Sequence, residues 1–306
     1  MNLKYITKKI AAVCLIAVLC MGGLTGCGND TKIVFTTGLS GNQIFKIGSK
    51  TCTTPEIMIY LTTFYNQYVN IYGEEMWHYD FGGVSLEEHV KDVVLSKMAQ
   101  IKIMNLMAEE QDIKLSEKEE KQVLAAAECY YSKLEDDLKS EENITESIVQ
   151  EVYREYALAN KVYATITESA DMEISDDEAR TVTVQEIRCS DQKETIKNYT
   201  RGSTDPAYEE LLFSMDEGDV SDVIELEDGS YIVKCISTMD YEATQENKLV
   251  LAEKRKQEAF SKAYTEIAAN THSQFRDKQW EKITLNEEIH STEANFFDIY
   301  DEYIKQ

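Results

Sequence analysis

The chain has 306 residues, 43% of them apolar and 9% aromatic, with only 2 prolines and 13 glycines. A core of ordinary size is therefore within reach, and so few turn formers argue for long helices and against an all-β sandwich. A formal net charge of −25 excludes nucleic acid as a natural partner, because phosphate binding needs clustered lysine and arginine.

The N-terminus has the layout of a secretory leader. Lys4, Lys8 and Lys9 make a basic start, Ile10 to Met21 is an unbroken apolar run, and Leu24-Thr25-Gly26-Cys27 closes it. The run falls short of the ~20 apolar residues that a membrane span needs. With a cysteine after Leu-Thr-Gly, the segment resembles the bacterial lipoprotein signal. That resemblance implies lipidation of Cys27, removal of residues 1–26, and a protein tethered at the extracytoplasmic face of the bacterial cell membrane. Two acyl chains on one residue suffice for stable anchoring. Cys52, Cys129, Cys189 and Cys235 remain in the mature chain, with no Cys-x-x-Cys spacing to suggest zinc or a redox pair. Free thiols are the expectation, although the compartment permits disulfides.

Residues 27–54 read as a lipidated tether and short strands, with Ile33-Val34-Phe35 and Ile44-Phe45-Lys46-Ile47 β-compatible and Gly38, Gly41 and Gly48 as breaks. A helical domain over 55–178 follows. Thr54-Pro55 predicts a helix start, and Ile57, Tyr60, Leu61, Phe64, Tyr68 and Ile71 form a stripe behind it. Ser85 and Glu88 form a capping box before a helix over 86–111 that becomes apolar nearly all round, so it should be the central, buried helix. A second box, Ser116 and Glu119, opens a helix carrying Val123, Ala127, Tyr130, Leu134 and Leu138. Another starts near Thr145, with Ile148, Val152, Tyr156, Ala159, Tyr163 and Ile166 on its stripe.

Ser175 and Glu178 predict a third capping box, after which the period changes. Val182, Val184 and Ile187 alternate as a strand would, 208–215 reads as a short helix, and strands flank an Asp228-Gly229 turn. Residues 180–239 thus form a compact α+β unit. Helix returns over 240–285, packing on the helical domain, and 286–306 reads as an acidic tail with aromatics at Phe296, Phe297, Tyr300 and Tyr303.

The order of leader, helical block, α+β insert and returning helix resembles the extracytoplasmic foldases of the PrsA and SurA type. Two stretches carry the resemblance: Ile101 to Glu119, and, more specifically, Pro206 to Ile236. In the second, Pro206-x-Tyr208-Glu209, Phe213-Ser214, Gly218-Asp219-Val220-Ser221 and Gly229-x-x-Ile232-Val233-Lys234 fall at parvulin spacing. The resemblance implies an α+β fold, mainly helical, in which a chaperone module carries a small inserted parvulin-like domain. It implies a folding factor of the peptidyl-prolyl isomerase family that assists exported proteins mainly as a holdase. Its partners would be unfolded or partly folded exported chains, with the membrane reached through the lipid anchor, and the family allows a homodimer. Parvulins carry histidines on the first and last strands of the domain; here Glu186 and Tyr231 take those positions. The segment between, which normally bears the acidic or thiol residue of the site, is cut to 191–204. Tyr208 and Phe213 remain as proline-cradling positions.

X-Pro isomerisation faces a barrier of ~18–20 kcal/mol, and its catalysis needs a dry apolar slot with preorganised polar groups around the twisting amide. Replacing two imidazoles by a carboxylate and a phenol changes that network in charge and donors, so weak or absent activity is expected. Glu186 and Tyr231 either pair by a hydrogen bond or serve only to stabilise the sheet. Met98, Met104 and Met107 either line an adaptable client surface or fill the core. An active isomerase with a rearranged site and a solute-binding or surface-scaffold lipoprotein are the alternatives. His78, His89, His272 and His290 are scattered, and Asp216, Glu217, Asp219 and Asp222 do not match a calcium loop, so neither metal nor cofactor is expected.

Overall fold

A computed structural model describes residues 38–80, 82–168, 173–285 and 294–304. The leader, Cys27 and the strand expected at 33–35 lie outside these residues. The architecture is α+β and mainly helical, with two small antiparallel sheets. The chain divides into two compact units, one built from residues up to 167 together with 260–306, the other from 168–259.

The helical unit begins with strands β1 (Gln43–Ile47) and β2 (Lys50–Thr53), an antiparallel hairpin. Its turn requires glycine at position 48 twice over. Gly48 has φ +57°, and a Cβ there would stand 3.0 Å from Leu106 Cδ1 and 3.2 Å from Thr271 Cγ2. Helix α1 (Thr54–Tyr72) starts one residue before the expected place, with Thr53 as the cap. The Thr54 N–H is taken by the Asn42 carbonyl at 2.8 Å, and the Thr53 N–H by the Glu56 carboxylate at 2.9 Å. From Ile57 to Tyr65 every residue of α1 is buried, whereas Ile71, expected on the apolar stripe, is exposed.

Helix α2 (Leu86–Glu110) is the buried central helix, opened by the Ser85–Glu88 box as expected. Helix α3 (Glu117–Lys133) is opened by the Ser116–Glu119 box. It does not continue to Leu138. Leu134 is extended, and Leu138 sits in a separate short helix, α4 (Asp136–Glu141). The break follows from charge: Asp136 and Asp137 lie in the first turn of the new helix, where the helix dipole favours acids, and not at the C-terminal end of the old one. Helix α5 (Glu146–Glu168) then completes the first pass.

The α+β unit opens with α6 (Asp176–Ala179). Only half of the expected capping box forms: Ser175 Oγ accepts from the Glu178 N–H at 3.0 Å, but the Glu178 carboxylate is drawn away to Arg255 at 2.6 Å. Strands β3 (Thr181–Arg188) and β4 (Glu194–Thr200) follow, then helix α7 (Pro206–Ser214), and strands β5 (Ile224–Leu226) and β6 (Gly229–Ser237). The sheet order is β4-β3-β6-β5, antiparallel throughout. Leu226 pairs with Gly229, so the tight turn is Glu227-Asp228, one residue before the expected one. Strand β4 was not expected; it occupies the stretch read as the shortened connection at 191–204. One face of the sheet and α7 enclose a core of Val182, Val184, Tyr208, Leu212, Met215, Val233 and Cys235.

Helix α8 (Tyr241–Asn270) carries the chain out of the α+β unit, and its residues from Phe260 onward belong to the helical one. There Phe260 stacks on Tyr163 at 5.1 Å between centroids. Strand β7 (Ser273–Phe275) pairs with β1, giving the order β2-β1-β7, and the short α9 (Asp277–Trp280) follows.

The last described segment is no solvated tail. Helix α10 (Phe296–Ile304) is capped by Asn295, whose Oδ1 accepts from the Phe297 and Asp298 N–H groups at 3.0 and 3.2 Å. Phe296, Phe297, Ile299 and Tyr300 are buried, with Phe296 4.1 Å from Tyr153 and 5.0 Å from Tyr60 between ring centroids. The acids of α10 occupy its outer face, so its acidic composition and its apolar burial coexist.

Truncating Phe296 to Ala should cost about 4 kcal/mol. Urea unfolding followed by fluorescence of Trp77 and Trp280, both in this unit, measures it; a change below about 1 kcal/mol would show that α10 is dispensable to the core.

Candidate functional site

Glu186 lies in the middle of β3, opposite Thr195 on β4 and Val233 on β6. Its side chain points to the face covered by α7 and is almost wholly buried, at 1% exposure. A carboxylate in that position must find donors. It finds three: Tyr199 and Tyr208 donate their hydroxyls to Oε1, the latter at 2.9 Å, and Lys197 Nζ reaches Oε2 at 2.7 Å. Tyr199 and Tyr208 also stack edge-on at 5.7 Å.

The electrostatics follow from this geometry. Burial works to raise the Glu186 carboxyl, but hydrogen bonds from Lys197, Tyr199 and Tyr208 outweigh it and hold the group below the ordinary carboxylate range. Burial, and then the hydrogen bond to Glu186, push Tyr199 up to about 12 and Tyr208 higher still. Lys197 is raised, chiefly by its bond to Glu186. At neutral pH the cluster is one carboxylate, one ammonium and two neutral phenols, each already partnered.

Tyr231 does not pair with Glu186. It stands opposite Arg188, two cross-strand pairs further along; its hydroxyl donates to Asp228 Oδ2 at 2.8 Å and accepts from Arg188 Nε at 3.1 Å. The structure therefore gives these two positions separate networks at two points of the sheet. Tyr208, a cradle position, is 3% exposed with its hydroxyl committed to Glu186. Phe213, the other, is half-buried beneath two guanidinium groups, those of Arg180 at 4.9 Å and Arg201 at 4.5 Å from the ring centroid. Both cradle positions are thus occupied from within the unit.

The Gly218–Ser221 motif runs alongside β6: Gly218 N–H donates to the Cys235 carbonyl, Cys235 N–H to Asp219, and Ser221 N–H to Val233, at 2.8–2.9 Å. Its role here is to extend the sheet edge. In the helical unit, Met98, Met104 and Met107 are buried at 3%, 6% and 0% exposure, so they fill the core. Cys52 and Cys235 are buried free thiols, Cys129 is half-buried and Cys189 exposed. Among the described residues no group of His, Cys, Asp and Glu is placed to hold a metal ion, and no helix is long and apolar enough to cross a membrane.

Sequence reading missed Lys197 and Tyr199 because it missed β4. The signal was present in Thr195, Ile196, Tyr199 and Thr200, four residues of high β-propensity within one short window. Which of them meets Glu186 depends on cross-strand register, which composition does not reveal.

No protein-family model matches the sequence, and no curated protein matches it. The structure is similar to solved PrsA- and SurA-like chains over most of its length. One, from work on the SurA-like chaperones PEB4 and Cj1289 of Campylobacter jejuni, is 13% identical, covers 78% of this chain and 100% of its own, and has a TM-score of 0.32. PrsA of Bacillus cereus is 15% identical, with 90% and 99% covered and a TM-score of 0.31. PrsA of Streptococcus pneumoniae is 17% identical, with 84% and 97% covered and a TM-score of 0.26. At such scores these likenesses carry no inference about activity.

Replacing Glu186 by Gln should destabilise the α+β unit by about 2 kcal/mol at neutral pH, since charge-assisted bonds become neutral ones. Because the native carboxyl lies below its unfolded value, its contribution is complete above the ordinary carboxylate range. It is lost as pH falls through the lower native value. The gap between wild type and Glu186→Gln, read as hydrogen-exchange protection of the β3 amides, should therefore close in acid; a gap independent of pH would refute the ionised assignment.

Proposed function

We propose that this chain is an extracytoplasmic folding factor, anchored through lipid on Cys27, that holds unfolded or partly folded exported proteins by non-covalent contact. The α+β unit is a reduced, parvulin-like insert without isomerase activity. The observation that carries this reading is a helical unit assembled from both sides of an insert whose two cradle positions, Tyr208 and Phe213, are filled by the insert's own side chains.

Physical requirements point the same way. Twisting an X-Pro bond needs a water-excluded apolar slot and donors free to meet the amide. Around Glu186 the donors are spent on a buried carboxylate, and the apolar surface of Tyr208 is inside the core. A holdase needs no such slot, only apolar surface open to many sequences. Between residues 71 and 84 the helical unit exposes Ile71, Tyr72, Tyr79 and Val84, each 49–61% accessible. The strongly acidic surface keeps such a molecule soluble while it carries a client.

Protein lacking residues 1–27 should suppress aggregation of a chemically denatured model substrate at near-stoichiometric ratios. In a protease-coupled assay it should leave the rate of a proline-limited refolding step unchanged. Clear acceleration that disappears on Tyr208→Ala would establish a rearranged, active isomerase instead. Saturable binding of one small molecule with no suppression of aggregation would favour a solute-binding lipoprotein.

A further inference from the structure

The α+β unit holds a cationic cluster that the Glu186 network does not use. Arg180, at the end of α6, and Arg201, in the turn after β4, both lie over the ring of Phe213. Arg180 also donates to the Phe213 carbonyl at 3.3 Å, which fixes its plane, yet its buried Nε has no hydrogen-bond partner. The turn carrying Arg201 is rigidly held: Ser203 Oγ accepts from the Thr200 N–H at 3.1 Å, and the Gly202 N–H donates to Glu209 at 2.5 Å.

Three consecutive acids, Asp176, Asp177 and Glu178, lie beside this cluster. Asp176 is closed onto Lys248 at 2.5 Å and Glu178 onto Arg255 at 2.6 Å. Asp177 is different. Its side chain is 80% exposed, and one oxygen, Oδ1, stands 3.9 Å from both Arg180 Nε and Arg201 Nη2. That is beyond hydrogen-bond distance, though within ion-pair range. A single carboxylate oxygen hovers between two guanidiniums and closes on neither.

We propose that Arg180, Arg201 and Phe213 form a binding site for a carboxylate on a client polypeptide, an Asp or Glu side chain or a free C-terminus, and that Asp177 is its intramolecular stand-in. Guanidinium forks match carboxylates in geometry as well as charge, and the Phe213 ring, in cation–π contact with both guanidiniums, holds them in place. The chain's net charge of −25 repels acidic clients at long range, but at physiological salt that field is screened beyond about 8 Å, so contact at the site decides. This deepens the holdase reading and rests on it for the nature of the ligand, though not for the chemistry of the site.

The test uses protein lacking residues 1–27 and a fluorescein-labelled peptide rich in glutamate, compared with its glutamine counterpart by fluorescence anisotropy at 0.15 M salt. Wild type should prefer the glutamate peptide by about tenfold, and Arg201→Gln should abolish that preference. Asp177→Asn, at an exposed position, removes the competitor and should tighten binding of the glutamate peptide about threefold. Equal affinity for the two peptides, or weaker binding by Asp177→Asn, would overturn the site. Aggregation suppression by wild type with no glutamate preference overturns the site and leaves the holdase reading standing. Glutamate preference without suppression supports the site and overturns the holdase reading.

Discussion

The helical unit exists only when the chain comes back to it. Strand β1 has one neighbour that is local, β2, and one that arrives after the whole insert, β7. Arg276 seals the junction, its N–H donating to the Ile44 carbonyl at 2.9 Å and its guanidinium to the Gly41 carbonyl at 2.8 Å. Helix α10 then places Phe296 among Tyr60, Tyr130, Tyr153 and Tyr156, rings contributed by three earlier helices. Closure over so long a stretch of chain delays the contacts that reward it. The insert, by contrast, carries a core and a sheet of its own.

Polar groups inside the helical core follow the same logic of imposed contact. Lys102 is 2% exposed in its side chain, with Glu155 at 2.6 Å and Glu56 at 3.3 Å. Glu56 also receives the N–H of Thr53, so one carboxylate joins the cap of α1 to the middle of α2. Asn105, one turn on, donates to the Ile101 and Glu155 carbonyls at 2.9 Å. Burial opposes the ammonium of Lys102, yet the two carboxylates hold it above its ordinary value. Such groups add little net stability over an apolar replacement. They make any other arrangement of α1, α2 and α5 expensive, because sliding a helix by one turn would strand a charge.

Legibility in the sequence tracked the range of the interaction. The boxes at Ser85 and Ser116 are complete within four residues, and both formed as read. The box at Ser175 failed in the half that a distant arginine could capture. The end of α3 was misplaced because the apolar spacing of Leu134 and Leu138 fits one helix, while the acids between them favour two. Helix α10 was hidden by Asp298, Asp301 and Glu302, whose charge lies on the outer face of a buried element. At the site, the position of Glu186 was reachable through the parvulin resemblance, but its partners were not. Lys197 and Tyr199 meet it only because β4 pairs with β3 in one particular register, and a shift of one residue would turn both away.

That register also decides what the α+β unit is able to do. A carboxylate at 1% exposure costs several kcal/mol unless its lone pairs are filled. Filling them with Tyr199, Tyr208 and Lys197 draws an extra strand and the first turn of α7 onto one point of the sheet. Between α7 and the sheet, Tyr208 is packed into the core with its hydroxyl on Glu186. On the proposed reading, satisfying Glu186 and admitting a substrate amide are competing uses of the same donors. The proposed carboxylate site draws instead on Arg180 and Arg201, which approach Asp177 no closer than 3.9 Å.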